Sequence, residues 1–181
     1  MSLSFRPPTN ADLPSLRALA IQVFLDTYAT EGIRPSLARE AEQQFSIAAL
    51  QAELERAGSR IVLAEQAEHL IAFAQLSVGT GHELVGEAAA TELARLYVQA
   101  LFQRRGVGRR LLAHAETLAR AAGSATLWLT AWVGNAPALA FYRRQGYREL
   151  GSTVYAFEGE RYENRLFAKS LEGPDIPRGK D

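Results

Sequence analysis

The chain has 181 residues, 48% apolar and 22% charged, which fits one globular domain with a sizeable core. Its lack of cysteine excludes disulfides, thiolate zinc sites and a cysteine nucleophile, and the scattered His69, His82 and His114 have no metal-ligand spacing, so no metal is expected. The formal net charge is zero, no apolar run is long enough for a membrane span, and no basic start leads into an apolar segment, so a cytoplasmic protein without a membrane or signal segment is expected.

Residues 3–7 read as a short strand. Thr9 or Asn10 then caps a helix whose apolar face is Leu13, Leu16, Leu19, Ala20, Val23 and Phe24. Gly32 and Pro35 break that helix. Ser46 caps another, stopped by Gly58. Residues 60–65 and 70–78 read as strands joined by a tight turn, and 80–90 as a loop. "ELARLYVQA", from Glu92, is a strand. A helix from Val107 to Gly123 follows, with Leu111, Leu112, Ala115, Leu118, Ala119 and Ala122 on one stripe. "ATLWLTAW" is apolar almost throughout, as a strand covered on both faces requires. Asn135 caps a short helix with Pro137 in its first turn and Gly146 at its end. Residues 147–157 and 161–171 form a last antiparallel pair, and 172–181 are expected to be a flexible tail. The order is strand, two or three helices, three strands, helix, strand, helix, two strands. It predicts a single mixed α/β (α+β) domain over residues 1–171, built around one sheet.

The zero net charge hides a split. Residues 1–94 carry 6 basic and 12 acidic side chains, and residues 95–181 carry 14 and 8. Between Arg95 and Arg148 there are nine arginines and one acid, Glu116. Arginines of this kind either solvate helix faces or gather at an anion site. The stretch "LYVQALFQRRGVGRRLL" favours the second use. A strand that enters a helix through a glycine-rich turn points several unpaired N–H groups one way, and the helix dipole adds positive charge there. Phosphate oxygens suit such a turn, and arginines beside it add charge-assisted hydrogen bonds. The turn lacks the Lys-Ser/Thr of a P-loop, and "GVGRRL" lacks the third glycine of a dinucleotide fingerprint.

What remains is Gln103-Arg104-Arg105-Gly106-Val107-Gly108, between a strand and a helix. It resembles the acetyl-CoA signature Q/R-x-x-G-x-G/A of the GNAT N-acetyltransferase superfamily. "NAPALAFYRRQGY" downstream resembles that family's second motif, and the pattern covers the chain from Phe5 to Phe167. "FLDTY", "ELARLYV", "LWLTAW" and "AFYRRQGY" further resemble the PaiA-type spermine/spermidine acetyltransferases.

The resemblance implies a mixed, mostly antiparallel sheet of about seven strands flanked by helices, and acetyl-CoA as cofactor. The loop amides of Gln103, Arg104, Arg105, Gly106, Val107, Gly108 and Arg109 would take the pyrophosphate. Backbone at Leu96, Tyr97 and Val98, in a strand that splays from its neighbour at a bulge, would pair with the pantetheine arm. A backbone N–H there would hold the developing oxyanion. Asn135 would hydrogen-bond the pantetheine, besides serving as a helix cap. Arg143 and Arg144 would reach the adenosine phosphates or solvate their helix. Tyr142 would be the general acid that protonates the leaving thiolate. Glu92 would be the base, with Ala94 two residues on supplying no second acid. Asp26, Tyr28 and Glu31 would face a polycationic amine in the acidic half. The implied function is acetyl transfer to a primary amine such as a small polyamine. A protein or peptide N-acetyltransferase and a non-catalytic acyl-CoA-binding module are the alternatives. A small-molecule amine is the expected partner, a homodimer is left open, and neither nucleic acid nor membrane is expected.

Overall fold

The computed structural model describes residues 2–86 and 89–172. Seven strands form one sheet: β1 (Leu3–Arg6), β2 (Ser59–Gln66), β3 (His69–Val78), β4 (Ala90–Val98), β5 (Thr126–Trp132), β6 (Arg148–Phe157) and β7 (Glu160–Ser170). Their order across the sheet is β1-β2-β3-β4-β5-β7-β6, antiparallel except for β4 beside β5. Five helices cover it: α1 (Leu13–Tyr28), α2 (Pro35–Gln44), α3 (Ile47–Glu55), α4 (Val107–Ala121) and α5 (Ala136–Arg144). Apart from Glu172, the tail expected over 172–181 lies outside the described residues.

The predicted faces of the helices are the buried ones, except that Leu118 of α4 is only partly buried and Ala122, expected on the same stripe, is exposed just past the helix end. Leu13, Leu16, Leu19, Ala20, Val23 and Phe24 of α1 pack with α2, α3 and the Ile61, Leu63 and Phe73 side of the sheet. Leu111, Leu112, Ala115 and Ala119 of α4 pack on the opposite face, against Val62, Ala64, Ala72 and Ala74. Alternate residues of β2 and β3 therefore serve two cores, the expected consequence of a period-2 strand between two helical layers.

Helix α1 ends at Tyr28, before the expected breakers Gly32 and Pro35, and Pro35 is also the first residue of α2, a helix the sequence reading did not place. A proline at that position loses no intrahelical bond and its fixed φ suits the first turn. The start of β4 also lies earlier than expected, at Ala90.

The departure that shapes the site is in β4. Gln75 faces Arg95 and Leu76 faces Leu93, so Ala94 is an extra, bulged residue. The bulge reverses the face alternation. Leu93 and Leu96, three residues apart, both contribute to the α4 core, whereas Tyr97 packs in the other core with Phe73 and Phe45. The same shift makes Arg95, not residue 94, the next side chain on Glu92's face.

Candidate active site

Strands β4 and β5 pair only at Ala90–Thr126, Thr91–Leu127 and Glu92–Trp128. Beyond that point they separate. A cleft of about 990 Å³ runs between them, lined by Leu93 through Val98 on one side and Thr130, Ala131 and Trp132 on the other. The β5-facing edge of β4 is thus an unpaired strand edge inside a cleft, open to a ligand that can bond backbone amides.

At one end the cleft meets the N-terminus of α4. Gly106 has φ 80°, a left-handed conformation that suits glycine and turns the chain into the helix. Arg104 shares the left-handed region at φ 58° without being glycine, and no sequence signal marks it. The first helical bond runs from Arg110 N–H to Gly106 O at 3.1 Å. The N–H groups of Val107, Gly108 and Arg109 therefore leave the helix start without helical acceptors. Gln103 ties this turn to the strand, its Nε2 donating to Val98 O at 3.1 Å.

Arginines around this end sort into two groups. Arg104, Arg109 and Arg144 line the cleft, and none forms an ion pair among the described residues. Arg143, adjacent to Arg144, instead pairs with Glu149 at 2.7 Å and lies over the Phe167 ring. Arg105 lies over Phe102 and Arg110 over Phe5, so neither side chain lines the cleft. Val107 is buried in the core and contributes only its backbone at the helix start. Asn135 lines the cleft while its Oδ1 accepts from Ala138 N–H at 3.2 Å, so capping leaves its amide nitrogen available. Three free guanidinium groups, a helix N-terminus and an open strand edge in sequence fit a ligand with an anionic head and an amide-bearing arm.

Tyr142, on α5, also lines this cleft. Its ring packs against Phe141, Tyr147 and Phe167, and its hydroxyl has no hydrogen-bond partner among the described residues. Burial pushes the phenol well above its ordinary pKa, so it stays protonated at neutral pH.

The other end is aromatic. Tyr28, Trp132 and Tyr155 line it, and Tyr28 and Trp132 also pack against Tyr162. Ring centroids of Tyr28 and Trp132 are 5.5 Å apart. A network backs these rings. Tyr155 OH donates to Glu40 Oε1 at 2.6 Å, Gln44 bonds both Glu40 and Tyr155, and Arg95 donates to Gln44 Oε1 at 2.8 Å while stacking on Phe45. Arg95 is thereby spent on structure. Further ties join α2 to the β6–β7 turn: Arg34 and Ser36 to Glu160, and Arg39 to Glu158.

Glu92 is the one carboxylate among the cleft-lining residues. Desolvation raises its pKa, while Arg95, Arg56 and His82 act in the opposite direction. The backing charge on its face is thus Arg95, brought there by the bulge. Asp26, expected near the substrate, is exposed and does not line the cleft, and neither does Glu31. At this level α1 turns Val23, Phe24, Thr27 and Tyr28 inward. Trp132, Tyr155, Gln44 and Asn164 were missed by sequence reasoning, because they come from separate elements and share no local motif.

The chain has relatives among known proteins. The chain is 26% identical over 160 residues to an uncharacterised N-acetyltransferase encoded in the pepI 3′ region of Lactobacillus delbrueckii subsp. lactis, covering 88% of this chain and 92% of that one. It is 31% identical over 132 residues to the IAA acetyltransferase of Azospirillum brasilense, covering 64% of this chain and 86% of the relative. Its fold superposes on the PaiA N-acetyltransferase of Thermoplasma acidophilum, crystallised in complex with coenzyme A, with a TM-score of 0.73 at 22% identity over 94% of this chain and 99% of that one. The acetyltransferase (GNAT) family pattern matches residues 24–147, from within α1 to just past α5. The protein belongs to the acetyltransferase (GNAT) family.

Proposed function

We propose that this acetyl-CoA-dependent N-acetyltransferase acts on the primary amine of a small molecule, with Tyr142 as general acid and Glu92 at the base end of the proton route. The observation that carries the reading is Tyr142, whose hydroxyl has no partner among the described residues, lining the same cleft as the unpaired edge of β4. Acetyl-CoA, when bound, supplies an acyl carbon already activated by its thioester. The chain's own groups do the rest. The N–H groups at the start of α4, with Arg104, Arg109 and Arg144, take phosphate oxygens. Backbone at Leu96, Tyr97 and Val98 bonds the amides of the arm, with Asn135 from the facing side. A β4 backbone N–H near the bulge holds the oxygen that gains charge. The amine enters from the aromatic end and bonds the acyl carbon as the carbon–sulfur bond breaks. Its surplus proton leaves toward Glu92, and Tyr142 gives its proton to the departing sulfur.

The aromatic lining supports a compact acceptor with an apolar or flat body. Polyamine specificity has less support, because Glu92 alone supplies negative charge to the lining and Asp26 stands outside it. The ties between α2 and the β6–β7 turn close this end on one side, which suits a small molecule better than a polypeptide. The test is release of free CoA across a panel of primary amines, wild type against Tyr142→Phe. The reading expects at least one amine to be turned over, and kcat to fall about 10²-fold or more in the variant with KM values little changed. Equal kcat in the two proteins would contradict the role of Tyr142.

A further inference from the structure

Among the described residues, the aromatic end contains one buried side-chain polar atom that has no hydrogen-bond partner. Asn164, on β7, faces Trp132 of β5 in register and lines the cleft. Its Nδ2 donates to Thr130 Oγ1 at 3.3 Å, which directs the amide oxygen away from Thr130. The residue is 6% exposed, and Oδ1 is a buried side-chain acceptor with no partner among the described residues. Buried polar side-chain atoms are as a rule paired. An apolar residue would fill this wall without leaving an orphaned oxygen.

We propose that Asn164 Oδ1 is a specificity-determining anchor that accepts a hydrogen bond from an N–H of the acceptor molecule. The inference rests on the small-amine reading above and narrows it. An amide oxygen can only accept, so it selects substrates presenting an N–H donor among the aromatic rings and disfavours those presenting a carboxylate or phosphate there. A dry acceptor discriminates strongly, because a substrate lacking the donor leaves it unpaired. Being uncharged, Asn164 lets the same wall accept a neutral amine, the form that attacks an acyl carbon.

Two variants test the assignment. Asn164→Leu keeps the volume and removes the acceptor, and Asn164→Asp restores an acceptor oxygen. Amine binding is read as the thermal shift that amines produce in CoA-saturated protein, and turnover as KM for the best amine. For Asn164→Leu the expected results are a melting temperature no lower than wild type, an unchanged KM for acetyl-CoA, and a KM for the amine raised roughly tenfold, as loss of one hydrogen bond predicts. At an amine concentration near the wild-type KM, the amine-induced shift should nearly vanish in the Leu variant and return in the Asp variant. An unchanged amine KM and shift in Asn164→Leu would overturn the proposal while leaving the amine reading intact. Amines that shift wild type but not the Leu variant, without being acetylated, would uphold Asn164 and overturn the amine acetylation. No shift of wild type by any amine would overturn both.

Discussion

The two ends of the cleft are built by different means. The basic end is largely backbone: one glycine turn, the first amides of α4 and the unpaired edge of β4, with three arginines added. The aromatic end is all side chain. Tyr28, Gln44, Trp132, Tyr155 and Asn164 come from α1, α2, β5, β6 and β7, and only tertiary packing brings them together. Backbone geometry tolerates sequence change as long as the turn forms, whereas a wall of side chains changes with every substitution. A fold made this way can keep one cofactor and change its acceptor.

The comparison can be broken in several places. The largest effect is expected between the two ends, at Tyr142, where the Phe variant loses rate without losing either ligand. A smaller effect is expected at Gly134. A Cβ there would stand 2.4 Å from the Trp132 ring, so Gly134→Ala displaces the indole. The KM for the amine should rise about tenfold with KM for acetyl-CoA unmoved, which steady-state kinetics in both substrates would check. A parallel rise in both would mean that the two ends are not separable.

The smallest effect concerns Glu92. Its folded-state pKa is raised by desolvation, so its burial costs stability only when it is ionised. Stability from this group is fully present below the ordinary carboxylate pKa and is lost as pH rises through the raised one. Glu92→Gln should therefore melt with wild type in acid and above it, by about 2 °C, near neutral pH, a size that allows for the group's partial exposure to solvent. A variant that melts below wild type at neutral pH would show that Arg95 and Arg56 outweigh the desolvation.

The same contrast explains what could be read from the sequence. The order of elements along the chain, the buried stripes of α1 and α4 and the glycine turn were legible because each is encoded within a few neighbouring residues. The helix that starts at Pro35 was left unplaced because proline both ends and begins helices, and only the chain after it decides. The bulge at Ala94 defeated a parity argument: counting by twos from Glu92 gave Ala94, and the structure puts Arg95 on that face. Arg143 and Arg144 were indistinguishable until Glu149, from the next strand, claimed one of them. The acceptor wall was illegible because its residues are separated by up to 136 positions, from Tyr28 to Asn164.

The central claim is that one cleft holds the acyl donor at its basic end and the amine at its aromatic end. It is tested most directly by measuring KM for acetyl-CoA and for the best amine in Arg109→Ala and Trp132→Ala. The account predicts a crossed result. Arg109→Ala should raise KM for acetyl-CoA about tenfold and spare the amine, and Trp132→Ala should do the reverse. If Trp132→Ala moved only the acetyl-CoA constant, or Arg109→Ala only the amine constant, the assignment of the two ends would be contradicted.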